Sequence, residues 1–297
     1  MKKALVLGAT GMLGDAVGRE LTAANLPWTG TARRDATQLH GATSTVRFDA
    51  ITDDVAGLLA AAGSPSHIVN AIGITKPHID EADNASRQRS IMINSLFPHA
   101  LATAAGAYGA HVIQIATDCV YAGTVGNYNE TAEHDPTDVY GKTKSLGEVP
   151  WPNMTHLRCS IIGPEVGRAT FLWEWIANQP EGAAVNGFTD HLWNGVTTQQ
   201  FGRICAGLIN SDETPGGTHH VIPGDIVTKA QLLRDIADAC GRSDIVVNDC
   251  EATSAVDRTL STNDQTFSDH LWELAGHHAP PTIRQMVLEA GGQAALT

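Results

Sequence analysis

Positive charge is scarce in this sequence, which has 19 lysines and arginines against 32 acidic residues and a net charge of −13. No block of basic residues stands out, and this argues against nucleic acid or an anionic membrane surface as a partner. Long apolar runs are also missing, since no stretch approaches the roughly 20 residues that a membrane span needs. The apolar run at the N-terminus ends at Gly8, which does not fit a secretory signal. We therefore expect a cytoplasmic protein.

Cysteine is equally scarce. The five cysteines are odd in number and show no CxxC spacing, so reduced thiols are expected and a disulfide framework is not indicated. The 13 histidines include two adjacent pairs, His219-His220 and His277-His278, but neither pair has partners at metal-ligand spacing. The sequence therefore predicts no metal site.

The first half of the chain alternates strand-length apolar runs with helix-length amphipathic segments. The predicted strands cover residues 3–7, 28–32, 46–48, 67–71, 111–116 and 155–161. The predicted helices cover residues 11–24, 53–62, 85–108 and about 136–147. Continuous apolar strands separated by helices are typical of a parallel sheet covered on both faces. The expected fold class is therefore α/β, with a Rossmann-type doubly wound parallel sheet.

A glycine-rich segment, Gly8-Ala-Thr-Gly11-Met-Leu-Gly14, directly follows the first predicted strand and opens the first helix. Glycine permits a tight turn there and lets backbone N–H groups approach a diphosphate at the positive end of the helix dipole. In this strand–turn–helix context the segment predicts a dinucleotide site. The expected cofactor contacts are Gly8, Thr10, Gly11, Met12, Leu13 and Gly14.

The choice of cofactor depends on the end of the second strand, GTARRD. An acidic residue there would favour NAD, whereas Arg33 and Arg34 suit the 2′-phosphate of NADPH. We therefore expect NADPH, with NADH as the alternative. At the end of the fourth strand, the segment Asn70-Ala71-Ile72-Gly73 would pass under the ribose and phosphates of the cofactor.

A tyrosine and a lysine stand four residues apart in Tyr140-Gly-Lys-Thr-Lys144, which places both on one face of a helix. A free phenol has a pKa near 10. A neighbouring ammonium and the positive nicotinamide ring of the oxidised cofactor would stabilise the phenolate and lower that pKa. Thr117, at the end of the fifth strand, would hydrogen-bond the carbonyl oxygen of the substrate. Thr117, Tyr140 and Lys144 are the predicted catalytic residues.

Several segments carry a family likeness: GATGMLG, NAIGITKPH, INSLFPHALA, ATDCVYAGTVGNYNE, DPTDVYGKTKSLGE, LRCSIIG and WNGVTTQQFGR. They resemble the sugar-nucleotide branch of the extended short-chain dehydrogenases, and within it the dTDP-4-dehydrorhamnose reductases. The resemblance implies NADPH-dependent reduction of a nucleotide-linked 4-keto-6-deoxy sugar. Hydride would go to C4, and Tyr140 would supply the proton.

The same resemblance implies further site residues. Asp49, followed by Ala50, would contact the adenine, and Asn94 would stabilise the active-site backbone or its water. A nucleotide-linked sugar also needs positive charge for its diphosphate and a stacking surface for its base. The candidate substrate residues are Lys76, Thr117, Cys119, Arg158, Trp193, Asn194 and Arg258.

The sequence changes character after Gly163-Pro164, where Trp-rich and Gly/Asn-rich segments interrupt the alternation. Helices over residues 198–209 and 229–240 and a strand over residues 219–222 are predicted beyond this point. We expect residues 1–163 to form an NADP-binding Rossmann domain that takes strands from about 196–222. Residues 164–297 would mainly form a smaller α/β substrate-binding domain. The oligomeric state is open, with a homodimer as one assembly to test.

Two other hypotheses stay open. In related GDP-fucose synthases a cysteine two residues after the catalytic serine serves in epimerisation, and Cys119 has this spacing from Thr117. The following segment 160–179 contains no histidine to act as the acid, which favours a packed thiol over an epimerase/reductase. The other hypothesis is a non-catalytic NADP-binding regulatory subunit, like that of methionine adenosyltransferase. The intact set of Thr117, Tyr140 and Lys144 argues against it.

Overall fold

A parallel sheet of seven strands forms the centre of the computed structural model, which describes residues 2–34, 38–167 and 169–294. The strands of the described chain are β1 (Ala4–Leu7), β2 (Trp28–Ala32), β3 (Ser44–Arg47), β4 (His67–Asn70), β5 (His111–Ala116), β6 (Met154–Arg158), β7 (Ile161–Ile162), β8 (Ala184–Phe188), β9 (His191–Trp193), β10 (Val196–Thr197), β11 (Gly217–His220), β12 (Val227–Thr228), β13 (Val246–Cys250) and β14 (Val256–Asp257). Its α-helices are α1 (Met12–Ala23), α2 (Val55–Ala61), α3 (Asn84–Ile91), α4 (Phe97–Ala107), α5 (Val139–Leu146), α6 (Leu172–Ala177), α7 (Thr198–Ser211), α8 (Lys229–Ala239), α9 (Gln265–Leu274) and α10 (Ile283–Ala294).

The order of the central sheet is β11-β6-β5-β4-β1-β2-β3, and every pairing in it is parallel. The strand order reverses between β1 and β4, so the loops after these two strands diverge and leave a crevice at the carboxyl edge of the sheet. The predicted Rossmann-type doubly wound sheet is confirmed.

The two faces of the sheet bury two separate apolar cores. Along β1, Ala4 and Val6 belong to one core, and Leu5 and Leu7 belong to the other, because successive side chains of a strand point to opposite faces. The first core is completed by α1, α7, α8, α9 and α10, and the second by α2 and α4. Burial on both faces explains why these strands are continuous apolar runs in the sequence.

The helix predicted over residues 85–108 is interrupted in the structure. It consists of α3, a π-helical turn over Met92–Leu96, and α4. A π turn inserts an extra residue into a helix and rotates the side chains that follow, and such turns are frequent at functional sites. The turn contains Asn94, one of the predicted site residues.

The second half of the chain adds small sheets that the sequence analysis did not predict. These are β12-β9-β14, β13-β8 and β10-β7. Several of their strands are only two or three residues long, too short for an alternating pattern to be visible. Strand β11 pairs with β6 and so joins the central sheet from beyond residue 163. The division into domains at 163/164 stays a prediction. None of the described helices is long and apolar enough to cross a membrane.

Histidines buried in the central sheet should make the fold sensitive to acid. His111 lies at the start of β5, where its Nε2 is 2.6 Å from the Thr155 hydroxyl. Burial, and secondarily the neighbouring His67, lowers the pKa of His111 from 6.5 to about 4. The folded state therefore binds fewer protons than the unfolded state between these two pH values. The contribution of His111 to stability is complete above about pH 6.5 and is lost as the pH falls towards 4.

We expect His111→Gln to reduce the loss of unfolding free energy between pH 7 and pH 4 by about 1–3 kcal/mol. Glutamine can still hydrogen-bond Thr155 but does not titrate. Urea unfolding at several pH values measures the slope, and the exposed His40 gives the control His40→Gln. An identical pH slope in the wild type and His111→Gln would contradict the expectation.

Candidate active site

A cleft of about 940 Å³ lies where the carboxyl ends of the central strands meet the second half of the chain. One part of its wall consists of the turns after β1, β2, β4 and β5 together with α5. The other part comes from the 159–163 segment, Phe171, Trp193 and the start of α8. The cleft is therefore built from elements that are far apart in sequence.

The glycine-rich turn forms one end of the cleft. Gly8 has φ +76°, a left-handed conformation that favours glycine, and its N–H donates to the Thr31 hydroxyl at 3.0 Å. A side chain at Gly14 would overlap the Gly8 carbonyl, so glycine is required for α1 to come this close. Helix α1 begins after Gly11 without a side-chain cap, which leaves its first N–H groups available to an anion.

The predicted residues of this turn are placed as follows. Gly8, Thr10, Gly11, Met12 and Leu13 line the cleft, whereas Gly14 lies behind them against the Gly8 backbone. The turn fits the diphosphate of a dinucleotide. Its glycines leave space that side chains would fill, and this space lies at the start of α1, where no side chain caps the helix.

Arg33 and Arg34 take different positions. Both are exposed, but only Arg33 lines the cleft. Among the residues that the structure describes, neither arginine makes a hydrogen bond or an ion pair. The guanidinium of Arg33 is thus available to an anionic group, in the place where a 2′-phosphate would lie.

The segment after β3 lines the cleft with Asp49 and Ala50, the residues that the resemblance implied for adenine, and also with Phe48 and Ile51. One carboxylate oxygen of Asp49 accepts a hydrogen bond from the Ile51 N–H at 2.9 Å, and the other is not engaged in this turn. Phe48 is buried and provides an apolar wall that the sequence analysis did not identify.

Asn70 and Asn94 support the cleft without lining it. Asn70 is fully buried; its amide donates to Gln114 Oε1 at 2.7 Å and its oxygen accepts from the Ile72 N–H at 3.1 Å. This fixes the turn whose residues Ala71, Ile72 and Gly73 do line the cleft.

Asn94, in the π turn, connects the cleft turn to the helix that carries the predicted catalytic pair. Its side chain accepts from the Ile74 N–H and donates to the Ile74 carbonyl, both at 2.9 Å, and also donates to the Thr143 hydroxyl at 3.1 Å. Ser95 donates to the Thr143 carbonyl at 2.7 Å. Asn94 therefore fixes the position of α5 relative to the turn after β4.

Thr117, Tyr140 and Lys144 all line the same cleft. Helix α5 carries the last two, and its N-cap Asp138 accepts from the Gly141 N–H at 2.8 Å. A side chain at Gly141 would overlap the Cys119 carbonyl, so this glycine allows α5 to lie against the turn after β5. The structure thus brings the three predicted catalytic residues together.

Burial dominates the electrostatics of this group. It raises the pKa of the Tyr140 phenol well above its usual value; Cys119 adds to the increase and the Thr117 side chain opposes it. Burial lowers the pKa of Lys144 to about 8, against the effect of Glu148. The Lys144 amine donates to the Ile115 carbonyl at 2.8 Å. Desolvation is thus the main influence on the phenol pKa.

Cys119 lines the cleft beside Thr117, but its thiol is poorly ionised. Burial, and then the neighbouring Asp118, raises the pKa of Cys119 to about 12. Only the thiolate is an effective base or nucleophile. A protonated Cys119 at neutral pH favours the packed thiol over the epimerase hypothesis.

Arg158 is not brought to the cleft. It is 1% exposed, and its guanidinium is fully engaged by Glu148, by the Tyr121 hydroxyl at 2.8 Å, and by the rings of His220 and His134 at 2.8 and 2.9 Å. A buried guanidinium needs such partners. This geometry leaves Arg158 no free donor for a substrate.

The other predicted substrate residues divide into two groups. Trp193 lines the cleft. Lys76, Asn194 and Arg258 are outside its lining: Lys76 forms a 2.9 Å ion pair with Asp138, and Asn194 exchanges two hydrogen bonds with the Leu260 backbone. Arg258 donates to the carbonyls of Tyr121 and Ala122, so all three act on the surrounding structure.

Further lining residues were not identified from the sequence. They include Thr31, Ile74, Thr75, His78, Arg89, Ile93, Ile115, Ser160, Phe171, Lys229 and Leu232. Ile74, Thr75, His78, Ile93 and Ser160 lie within segments that carry the family likeness, whereas Arg89, Phe171, Lys229 and Leu232 lie outside them. The described part of the chain contains no group of three or more His, Cys, Asp or Glu placed to hold a metal.

Comparison with known proteins shows which family the chain belongs to. A family profile described as the RmlD substrate binding domain matches residues 1–291. Methionine adenosyltransferase 2 subunit beta of Mus musculus is 30% identical over 251 residues, covering 80% of this chain and 72% of that protein. The dTDP-4-dehydrorhamnose reductase of Streptomyces griseus is 37% identical over 146 residues, or 48% of this chain and 43% of that protein.

Among solved structures, a dTDP-4-dehydrorhamnose reductase of Bacillus anthracis in complex with NADP has a TM-score of 0.72 at 19% identity, covering 99% of each chain. At this identity the likeness shows the fold alone. The family match extends over nearly the whole chain and confirms the resemblance seen in the sequence. This chain is a member of the RmlD substrate binding domain family.

Proposed function

We propose that this protein is an NADPH-dependent reductase of a nucleotide-linked 4-keto-6-deoxy sugar. The observation that carries the proposal is the convergence of Thr117, Tyr140 and Lys144 on one cleft, whose far end is an open helix start with an unpaired arginine. A binding protein would need the cofactor end but not a phenol, a hydroxyl and an ammonium gathered at the other end.

The cofactor would lie along the edge of the sheet. The backbone of residues 10–13 would hold its diphosphate, Arg33 its 2′-phosphate, and the wall of Phe48, Asp49 and Ala50 its adenine. One Lys144 N–H is used by the Ile115 carbonyl, and the other two are free to hold the ribose hydroxyls. When bound, NADPH supplies the hydride for the sugar carbonyl carbon.

The protein supplies the proton. Because burial keeps Tyr140 protonated at neutral pH, the phenol can hold its proton until the carbonyl oxygen becomes an alkoxide, which is a stronger base. The Thr117 hydroxyl, now 3.2 Å from an oxygen of Asp118, can turn to hydrogen-bond the same oxygen. A pKa of about 8 leaves Lys144 mostly charged at pH 7, where it stabilises the phenolate that remains.

Removing the phenol hydroxyl should affect turnover alone. For Tyr140→Phe we expect NADPH binding close to wild type and a turnover rate lower by about 10²- to 10⁴-fold, the usual contribution of general acid catalysis. Lys144→Met should weaken NADPH binding as well, because the ammonium would also hold the ribose. NADPH oxidation with a nucleotide-linked 4-keto-6-deoxyhexose and fluorescence titration of NADPH separate the two effects. A Tyr140→Phe variant that turns over as fast as wild type would refute the mechanism.

The arginines predict the cofactor preference. We expect wild type to bind NADPH about ten- to a hundred-fold more tightly than NADH, since a charge-assisted hydrogen bond contributes roughly 1.5–3 kcal/mol. Arg33 lines the cleft and Arg34 does not, so Arg33→Ala should remove most of this preference and Arg34→Ala, the matched control, should remove little. Equal affinities of wild type for both cofactors would exclude the assignment.

The thiol distinguishes reduction from epimerisation. Because Cys119 is expected to stay protonated, Cys119→Ser should keep most of the reductase activity and no deuterium from solvent should appear at C3 or C5 of the product. Mass spectrometry of the product in D₂O gives the second measurement. A thousand-fold loss of activity in Cys119→Ser with an unchanged circular dichroism spectrum would favour the epimerase/reductase instead.

A regulatory role is the second candidate, favoured by the likeness to methionine adenosyltransferase 2 subunit beta over 80% of this chain. Such a subunit would bind the cofactor without turning over any sugar nucleotide. The test assays NADPH oxidation with thymidine-, uridine- and guanosine-linked 4-keto sugars, and in parallel the effect of the protein on a methionine adenosyltransferase catalytic subunit. Oxidation that depends on Tyr140 supports the reductase, whereas an effect only on the transferase supports the regulator.

A further inference from the structure

Lys229 is a cation inside the cleft that the catalytic and cofactor assignments leave without a role. It is the first residue of α8 and lines the cleft together with Asp118, Cys119, Ser160 and Trp193. The antiparallel pairing of Val227 with Trp193 fixes the chain just before α8 and so holds Lys229 near the Trp193 side of the cleft.

The ammonium of Lys229 has no partner among the residues that the structure describes. In residues 2–34, 38–167 and 169–294, no acceptor lies within hydrogen-bond distance of this ammonium and no carboxylate within 4 Å. Asp118 and Cys119 are near enough to act on its charge, yet burial outweighs them and lowers the pKa of Lys229. Asp118 is the nearest opposing influence on this charge, but it is not within 4 Å of the ammonium, and burial raises the pKa of its own carboxyl group.

The position of Lys229 on its helix adds a second cost. Helix N-termini carry a partial positive charge, so a cation in the first turn is unfavourable. Thr228 caps the helix through the Gln231 N–H at 3.1 Å, so the lysine is not needed for capping. A half-buried, unpaired ammonium at a helix start is an arrangement that an anion would stabilise.

Ser160 supplies a further donor to the same part of the cleft. Its hydroxyl oxygen accepts a hydrogen bond from Trp193 Nε1 at 2.8 Å, which leaves the hydroxyl proton free for another acceptor. Lys229, Ser160 and Trp193, here called the Lys229 site, therefore bring two donors that have no acceptor among the described residues next to an aromatic side chain of the cleft wall.

We propose that the Lys229 site binds an oxyanion of the substrate, either a phosphate or a carboxylate. This inference rests on the proposed function, because it places the substrate in the same cleft. It requires the substrate to carry a negative charge for tight binding. The diphosphate of the cofactor is not the ligand meant here, because the glycine-rich turn after β1 serves it.

The test measures binding, so it needs no turnover. Isothermal titration calorimetry of the NADPH-saturated protein is carried out with UDP, dTDP, UDP-glucose and UDP-glucuronic acid. We expect Lys229→Gln to raise the Kd of anionic ligands by about ten- to a hundred-fold and Lys229→Arg to keep most of the affinity. Lys142→Gln, which removes an exposed lysine of α5, is the matched control and should bind as wild type does.

The ligand series separates the two sources of charge. A similar loss for the nucleotides and both sugar nucleotides would identify a phosphate, and a loss confined to UDP-glucuronic acid would identify a carboxylate. Kd values in Lys229→Gln within twofold of wild type for every ligand would overturn the proposal, as would a wild type that binds none of them. Lys229-dependent binding of these ligands, together with no NADPH oxidation by any of the nucleotide-linked 4-keto sugars, would refute the reductase and leave the anion site in place.

Discussion

The rest of the site depends on one constraint: the backbone of two helices must come close to the backbone of the turns that follow two strands. Helix α1 can reach the turn after β1 only because Gly14 has no side chain, and α5 can reach the turn after β5 only because Gly141 has none. The first contact directs free N–H groups into the cleft. The second places Tyr140 and Lys144 beside Thr117. A methyl group at either glycine would force the helix away from the strand end and so separate the groups that now line one cleft.

Buried polar side chains hold in place the helices and turns that the glycines allow to approach each other. Asn70 and Asn94 bond the backbone of the turn after β4, and Asn94 also bonds α5 through Thr143. The two side chains hydrogen-bond backbone groups of this turn that are not paired within a strand or helix. Because their polar atoms are used in this way, both side chains can be buried outside the cleft. The Arg158 cluster does the same between β6, β11 and the 121–134 segment. The charge of Arg158 thus serves the structure, whereas Arg33 and Lys229 line the cleft.

Sequence reasoning selected residues of local motifs that the structure brings to one cleft. The glycine-rich turn, the Tyr140–Lys144 pair and the threonine ending β5 each combine a residue type with a spacing that has a direct physical meaning. It failed for isolated residues such as Arg158, whose type suggested an anion ligand although its surroundings consume all its donors. A sequence reveals a neighbouring lysine but not the degree of burial, so it did not show that desolvation is the main influence on the Tyr140 pKa.

By itself the sequence determined the parallel sheet, the dinucleotide-type turn and the helix that carries Tyr140 and Lys144, since periodicity and glycine placement are local properties of the chain. Tertiary structure alone decided which cations reach the cleft. Lys229 and Ser160 are 69 residues apart in the sequence and meet only through the pairing of β12 with β9 and the bond from Trp193 to Ser160. Contacts of this kind depend on how separate elements pack, and no local pattern encodes them.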